Sequence, residues 1–183
     1  MKTALILHGI CGHAGIHWQQ WLHDELIKKG YKVMMPNLPD PNRPNRDKWL
    51  KTATKVTSKI DYSNLTIVGH SLGVVTALDL IEQSGKKVEK LFSVSGFAKD
   101  YGAELNSYFL KGKKINLKKV KKLVQNAYVI YGDNDPYIPQ GILKHLADCL
   151  GANPIIIKNG GHLNTDSCYT KFPLLLDAFE KNE

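Results

Sequence analysis

The sequence predicts an α/β protein: a six-stranded, mostly parallel sheet with helices on both faces. Three observations predict it. Short apolar runs, many of them β-branched, alternate with longer stretches whose apolar residues recur at helical spacing, which is the rhythm of strand-helix-strand crossovers. Several of the short runs are apolar at nearly every position, as a strand covered on both faces must be. And one such run, Thr66-Ile67-Val68, passes straight into a helical run through the five residues Gly69-His70-Ser71-Leu72-Gly73.

Taken in order, strands are expected at residues 4–8, 31–35, 65–68, 88–94, 127–131 and 154–158. The first, third and fifth read as the most continuously apolar. Trp18, Trp21, Leu22 and Leu26 make a helical stripe that stops at Gly30, with both tryptophans as core anchors. Further helices fit residues 46–60, 72–81, 117–125, 140–150 and 169–181. Two stretches break the rhythm: residues 36–45, with four prolines, and residues 96–115. Both should leave from the carboxyl edge of the sheet, where open parallel sheets place their ligands, and both are expected to wall a cleft there. No internal repeat or linker interrupts the chain, so residues 1–183 are expected to form one domain.

Composition narrows the function classes. With 43% hydrophobic and 23% charged residues, the chain is ordinary globular material. No apolar run nears the ~20 residues that span a bilayer, and the N-terminus lacks a signal-peptide core, so a cytoplasmic protein without membrane insertion is expected. Cys11, Cys149 and Cys168 cannot all pair and lack zinc-site spacing, which fits reduced thiols; Cys11 is expected to be buried as a small hydrophobe, with a place lining the cleft as the alternative. His8, Cys11, His13 and His17 fit no metal-ligand spacing, and neither metal nor cofactor is expected. The formal charge of +8 is concentrated in residues 111–122, where seven lysines (Lys111, Lys113, Lys114, Lys118, Lys119, Lys121 and Lys122) meet no acid. Leu117, Val120, Leu123 and Val124 recur there at helical spacing, so the lysines read as the solvated face of an amphipathic helix. A docking surface for an acidic partner is the alternative; without arginine or interleaved aromatics, nucleic acid is not expected. The chain should be a monomer or a weak homodimer.

The chemistry centres on Ser71. A polar residue between two glycines, where a strand gives way to a buried helix, suits a sharp turn that holds its Oγ exposed at the tip. Such a serine needs a base, and the base needs an acid to orient it. Beyond the fifth strand lies Gly132-Asp133-Asn134-Asp135-Pro136, and beyond the sixth Gly160-Gly161-His162. The chain order Ser71, Asp135, His162 follows, with Asp133 as the competing acid and a turn-shaping role as its expected one. Backbone N–H groups of Leu72 and of the early loop, at Ile10, are the expected oxyanion donors. His70 is expected to be packed or locally bonded, facing away from Ser71, while Trp18 could also border the acyl pocket.

The elbow, His8-Gly9, the Gly132-x-x-Asp135 turn and Gly161-His162 together resemble the α/β-hydrolase superfamily. The short chain, Trp18-x-x-Trp21-Leu22, Asp135-Pro136-Tyr137-Ile138-Pro139 and Gly161-His162-Leu163-Asn164 resemble more narrowly the small serine hydrolases related to retinoblastoma-binding protein 9. That resemblance implies a compact α/β-hydrolase-like three-layer sandwich without a cap domain, a catalytic trio of Ser71, Asp135 and His162, and a carboxylesterase cleaving small esters. An amidase or peptidase of the same type, or a non-catalytic hydrolase fold holding an acidic partner on its lysine segment, are the alternatives. The early loop, His8-Gly9-Ile10-Cys11-Gly12-His13, departs from many relatives, which leaves the second oxyanion donor open; Leu72 after the serine departs too, so a more apolar site beside Ser71 is expected.

Overall fold

A computed structural model describes residues 1–180. Its six strands are β1 (Thr3–Leu7), β2 (Lys32–Met34), β3 (Leu65–His70), β4 (Val88–Val94), β5 (Val124–Gly132) and β6 (Ile155–Ile157). They form one sheet in the order β2-β1-β3-β4-β5-β6, and every pairing is parallel. The helices are α1 (Gln19–Lys28), α2 (Arg46–Thr57), α3 (Leu72–Ser84), α4 (Ser107–Leu110), α5 (Leu117–Leu123), α6 (Gln140–Leu150) and α7 (Pro173–Glu180). None is long and apolar enough to cross a membrane.

The sandwich follows from the period of the strands. Along β1, Leu5 and Leu7 join one core with Trp49, Leu78 and Leu146, while Ala4 and Ile6 join the other with Trp18, Phe92 and Phe179. Successive side chains point to opposite faces, so a strand buried on both sides must be apolar throughout. α2, α3, α5 and α6 therefore cover one face and α1 and α7 the other. Helix α3 is apolar on nearly all sides and is buried from Leu72 to Ile81, because it lies between the sheet and its helical neighbours.

Several expectations need correcting. The fifth strand is only half covered: the first part of β5 is partly exposed, whereas β4 is buried almost throughout. The reason is its neighbour, since β6 has three residues and pairs only with residues 130–132 of β5. Helix α5 ends at Leu123 and β5 begins at the next residue, so the expected helix to 125 and strand from 127 meet without a loop. The last helix starts at Pro173 rather than 169, because Thr165–Ser167 form a 3₁₀ turn and Cys168 takes a left-handed backbone. Its expected end at Lys181 lies outside the described residues. The lysine face is solvated as expected: Val120 is fully buried while Lys118, Lys119, Lys121 and Lys122 are exposed.

Candidate active site

Strand β3 ends at His70 and α3 begins at Leu72, so Ser71 alone makes the turn, with φ 52° and ψ −124°. That backbone is costly for a residue bearing a Cβ and persists only where its surroundings enforce it. Here they do. A Cβ on Gly73 would sit 2.5 Å from the His8 carbonyl oxygen, and one on Gly69 2.8 Å from the Val74 nitrogen. The helix thus presses directly on β1 and on the strand that feeds it, and the Ser71 N–H is tied to the Val94 carbonyl at 2.9 Å. The early loop runs against the serine: a Cβ on Gly9 would be 3.0 Å from that of Ser71.

Ser71 and His162 open onto one cleft of about 380 Å³ at the carboxyl edge of the sheet. His162 Nδ1 lies 2.8 Å from Asp135 Oδ2, and the Asp135 side chain is wholly buried. Asp135 Oδ1 accepts the N–H groups of Tyr137 and Ile138 at 2.9 and 3.1 Å, which locks the carboxylate in place. A carboxylate on Nδ1 fixes the proton there and leaves Nε2 as the nitrogen able to take one. The Ser71 Oγ has no hydrogen-bond partner among the described residues, an open geometry that resting sites of this kind commonly have.

Ile10 lines the same cleft, and Leu72 is the first residue of α3. Among the described residues neither backbone N–H has an acceptor. The orientation of the Ile10 peptide is set by His8, which is buried. Its Nδ1 donates to the Gly9 carbonyl at 2.8 Å and its Nε2 accepts the Leu38 N–H at 2.9 Å, a pairing only the neutral ring can make. Burial lowers the His8 pKa, which keeps the ring in that form. Because a trans peptide points its C=O and N–H in opposite directions, fixing the Gly9 carbonyl also fixes the Ile10 N–H.

Asp133 takes a different post. Its Oδ1 accepts the Asn159 N–H at 2.7 Å, so it bonds backbone as expected, but on the histidine loop rather than in its own turn. Beside it Asn134 accepts the Gly161 N–H at 2.7 Å, and Ser167 Oγ accepts that of His162 at 3.2 Å. His70 is fully buried and its Nε2 donates to the His162 carbonyl at 3.0 Å, a bond across 92 residues of sequence rather than a local one. Burial, reinforced by the neighbouring His162, holds its pKa well below the ordinary histidine value, so it is a neutral donor. Trp18 does not border the cleft; it is fully buried, and its Nε1 donates to the Leu163 carbonyl at 2.8 Å. Two adjacent carbonyls of the histidine loop are thus held by side chains from the elbow and from the start of α1. Sequence reasoning missed both bonds, and the role of Asn134, for which its place between two acids in a tight turn was the available signal.

Of the two irregular stretches, only the second walls the cleft, through Tyr101, Ala103, Leu105 and Asn106. The proline-rich stretch instead backs the early loop. Its Pro41 carbonyl accepts the Cys11 N–H and its Asn37 the Ala14 N–H, each at 2.8 Å. Ile16 and His17 take the wall it was expected to supply. Cys11 is exposed on that wall rather than buried, because its left-handed backbone turns it out of the loop.

A strained serine elbow over a parallel sheet, with a carboxylate-histidine pair beyond the last two strands, defines an α/β-hydrolase. Residues 4–181 match the sequence profile described as serine hydrolase, and the chain belongs to that family. It is 28% identical over 180 residues to the YdeN protein of Bacillus subtilis strain 168, provisionally named a hydrolase, covering 97% of this chain and 94% of that one. The crystal structure of the ydeN gene product superposes with a TM-score of 0.90 at 27% identity, over 98% of this chain and 97% of that one. A carboxylesterase structure from the thaumarchaeon Nitrososphaera gargenis shares the fold, with a TM-score of 0.72 at 11% identity over 97% and 88% of the two chains. The narrower resemblance to hydrolases related to retinoblastoma-binding protein 9 is compatible with these matches.

Proposed function

We propose that this serine hydrolase cleaves small carboxylic esters through an acyl-enzyme on Ser71. The observation that carries the reading is the Asp135-His162 pair opening onto the cleft that holds the strained serine. His162 Nε2 takes the Ser71 proton as Oγ attacks the ester carbonyl, and the Ile10 and Leu72 N–H groups receive the oxyanion. The imidazolium returns its proton to the departing alkoxide. It then activates a water that releases the acid. Asp135 holds Nδ1–H throughout and stabilises the charged ring.

The cleft volume limits the acyl group. Each added methylene gains about 0.8 kcal/mol only while apolar wall remains to bury it, and this cleft encloses about 380 Å³. On a p-nitrophenyl ester series, kcat/KM should rise from acetyl to butyryl or hexanoyl and then flatten. Ser71→Ala should cost at least about 10³-fold on the best of these substrates, with circular dichroism and thermal midpoint little changed. Retention of most of the activity would overturn the assignment.

A further inference from the structure

The lining of the cleft is of two kinds. Ile10, Tyr101, Leu105 and Ile138 supply apolar wall. His17, Asn164 and Asp166 supply polar wall, and nothing in the mechanism above uses them.

His17 is held in an unusual way. Its backbone is left-handed, φ 59°, and its side chain crosses to the histidine loop. There Nδ1 accepts the Thr165 N–H at 3.1 Å and lies 2.8 Å from Thr165 Oγ1. A backbone N–H can only donate, so Nδ1 is the bare nitrogen and the ring proton sits on Nε2. The ring packs edge-on to His70 at 5.3 Å, which fixes its plane as well. Burial lowers its pKa from the ordinary histidine value, so the neutral tautomer persists at pH 7. Among the described residues its Nε2–H has no acceptor. Asp166, an exposed carboxylate lining the same cleft, accepts Asn164 Nδ2 at 3.4 Å and has no other hydrogen-bond donor on its side chain among the described residues. His17 is bonded to Thr165, the residue before Asp166, and both line the cleft. A preoriented donor and a free acceptor stand together beside Ser71.

Their position says which half of a substrate they would meet. His162 must hand its proton to the leaving oxygen, so the alcohol lies against the loop that bears His162, and that loop also carries Asn164, Thr165 and Asp166. The acyl chain is left the apolar wall. Resting on the esterase reading above, we propose that His17 and Asp166 form a leaving-group subsite that selects short-chain esters of hydroxylated alcohols over those of plain alkyl alcohols. An alkyl group laid over this wall would strip water from a donor and a carboxylate without replacing it, and sites of that build reject the analogue lacking the hydroxyl.

The test compares 1-monobutyrin with propyl butyrate, which share the acyl group and the three-carbon alcohol and differ by two hydroxyls. Wild type should favour monobutyrin in kcat/KM by about tenfold or more. His17→Asn, a residue that tolerates the left-handed backbone, and Asp166→Ala, on an exposed turn, should each bring the ratio towards one. A purely structural role would lower both esters equally and leave the ratio intact. A wild-type ratio near one, or a ratio unmoved by both variants, would overturn the subsite while leaving the esterase reading standing. Turnover of neither ester would sink the esterase reading and the subsite with it.

Discussion

The two halves of the site are built by opposite means. On the serine side, position is set by the main chain: one residue turns β3 into α3, two glycines let backbone press on backbone, and nearly everything around is buried and apolar. On the histidine side, the stretch between β6 and α7 has one 3₁₀ turn as its regular structure. It is held by side chains from far away, Asp133, Asn134, His70 and Trp18 among them. Ser71 is thus placed by exclusion of volume, and His162 by a set of directed bonds, each replaceable one at a time. Removing volume control should damage folding; removing a directed bond should damage catalysis more than folding.

The largest effect expected on the directed side is at Asp135. Asp135→Asn leaves the packing but presents an amide to His162 Nδ1, favouring the wrong tautomer, and should lower kcat by about 10²–10⁴-fold. Asp133→Asn, at a side chain bonded to the Asn159 N–H, should cost less than about tenfold. Steady-state kinetics on one ester checks the pair; equal losses, or a larger one at Asp133, would reverse the ordering.

On the serine side the matching change is Gly73→Ala. The new Cβ would meet the His8 carbonyl oxygen at 2.5 Å and that of Leu7 at 2.6 Å, both backbone atoms that cannot swing away. A stability loss of about 3 kcal/mol is expected, with misplacement of α3 and of Ser71. Urea unfolding measures it. A loss below about 0.5 kcal/mol would show that the elbow is not held by steric contact.

A smaller and more diagnostic effect belongs to His70, which joins the two halves. Its folded pKa lies well below the unfolded value of about 6.5. Between those two values the unfolded chain binds a proton that the folded chain does not. Stability is therefore complete above about pH 6.5 and falls as the pH drops below it, with His70 contributing at most about 1.4 kcal/mol per pH unit. His8 and His17, also lowered, act in the same direction. His70→Phe should reduce this acid-side slope by up to one proton and, by freeing the His162 carbonyl, lower kcat by about tenfold with little change in KM. Urea midpoints at pH 8, 6 and 5 give the slope; an unchanged slope would contradict the buried neutral ring.

The contrast also explains what could be read from the sequence. The elbow was legible because its causes are local: Gly69 and Gly73 flank Ser71, and the strand and helix patterns adjoin it. β4 is found at its expected bounds for the same reason. The histidine side was legible only through chain order, which placed Asp135 and His162 at successive strand ends. Bonds such as His70 to the His162 carbonyl, or Trp18 to that of Leu163, join residues 92 and 145 positions apart and leave no periodic trace. Arg46 opens the helix expected over residues 46–60, yet it is buried with both Nε and Nη2 on Asp79 of α3, at 2.6 and 2.9 Å. The proline-rich stretch was misplaced because prolines state that a loop is constrained, not what it packs against.

The proposed ester cleavage requires Ser71 to be a nucleophile that His162 activates. The direct measurement is intact-protein and peptide mass spectrometry after treatment with a fluorophosphonate. One phosphonyl adduct should form on wild type and map to Ser71. Ser71→Ala should form none, and His162→Ala should react at least about 10³-fold more slowly. An adduct on any other residue, a wild type that never reacts, or equal labelling of the His162→Ala variant would contradict the central claim.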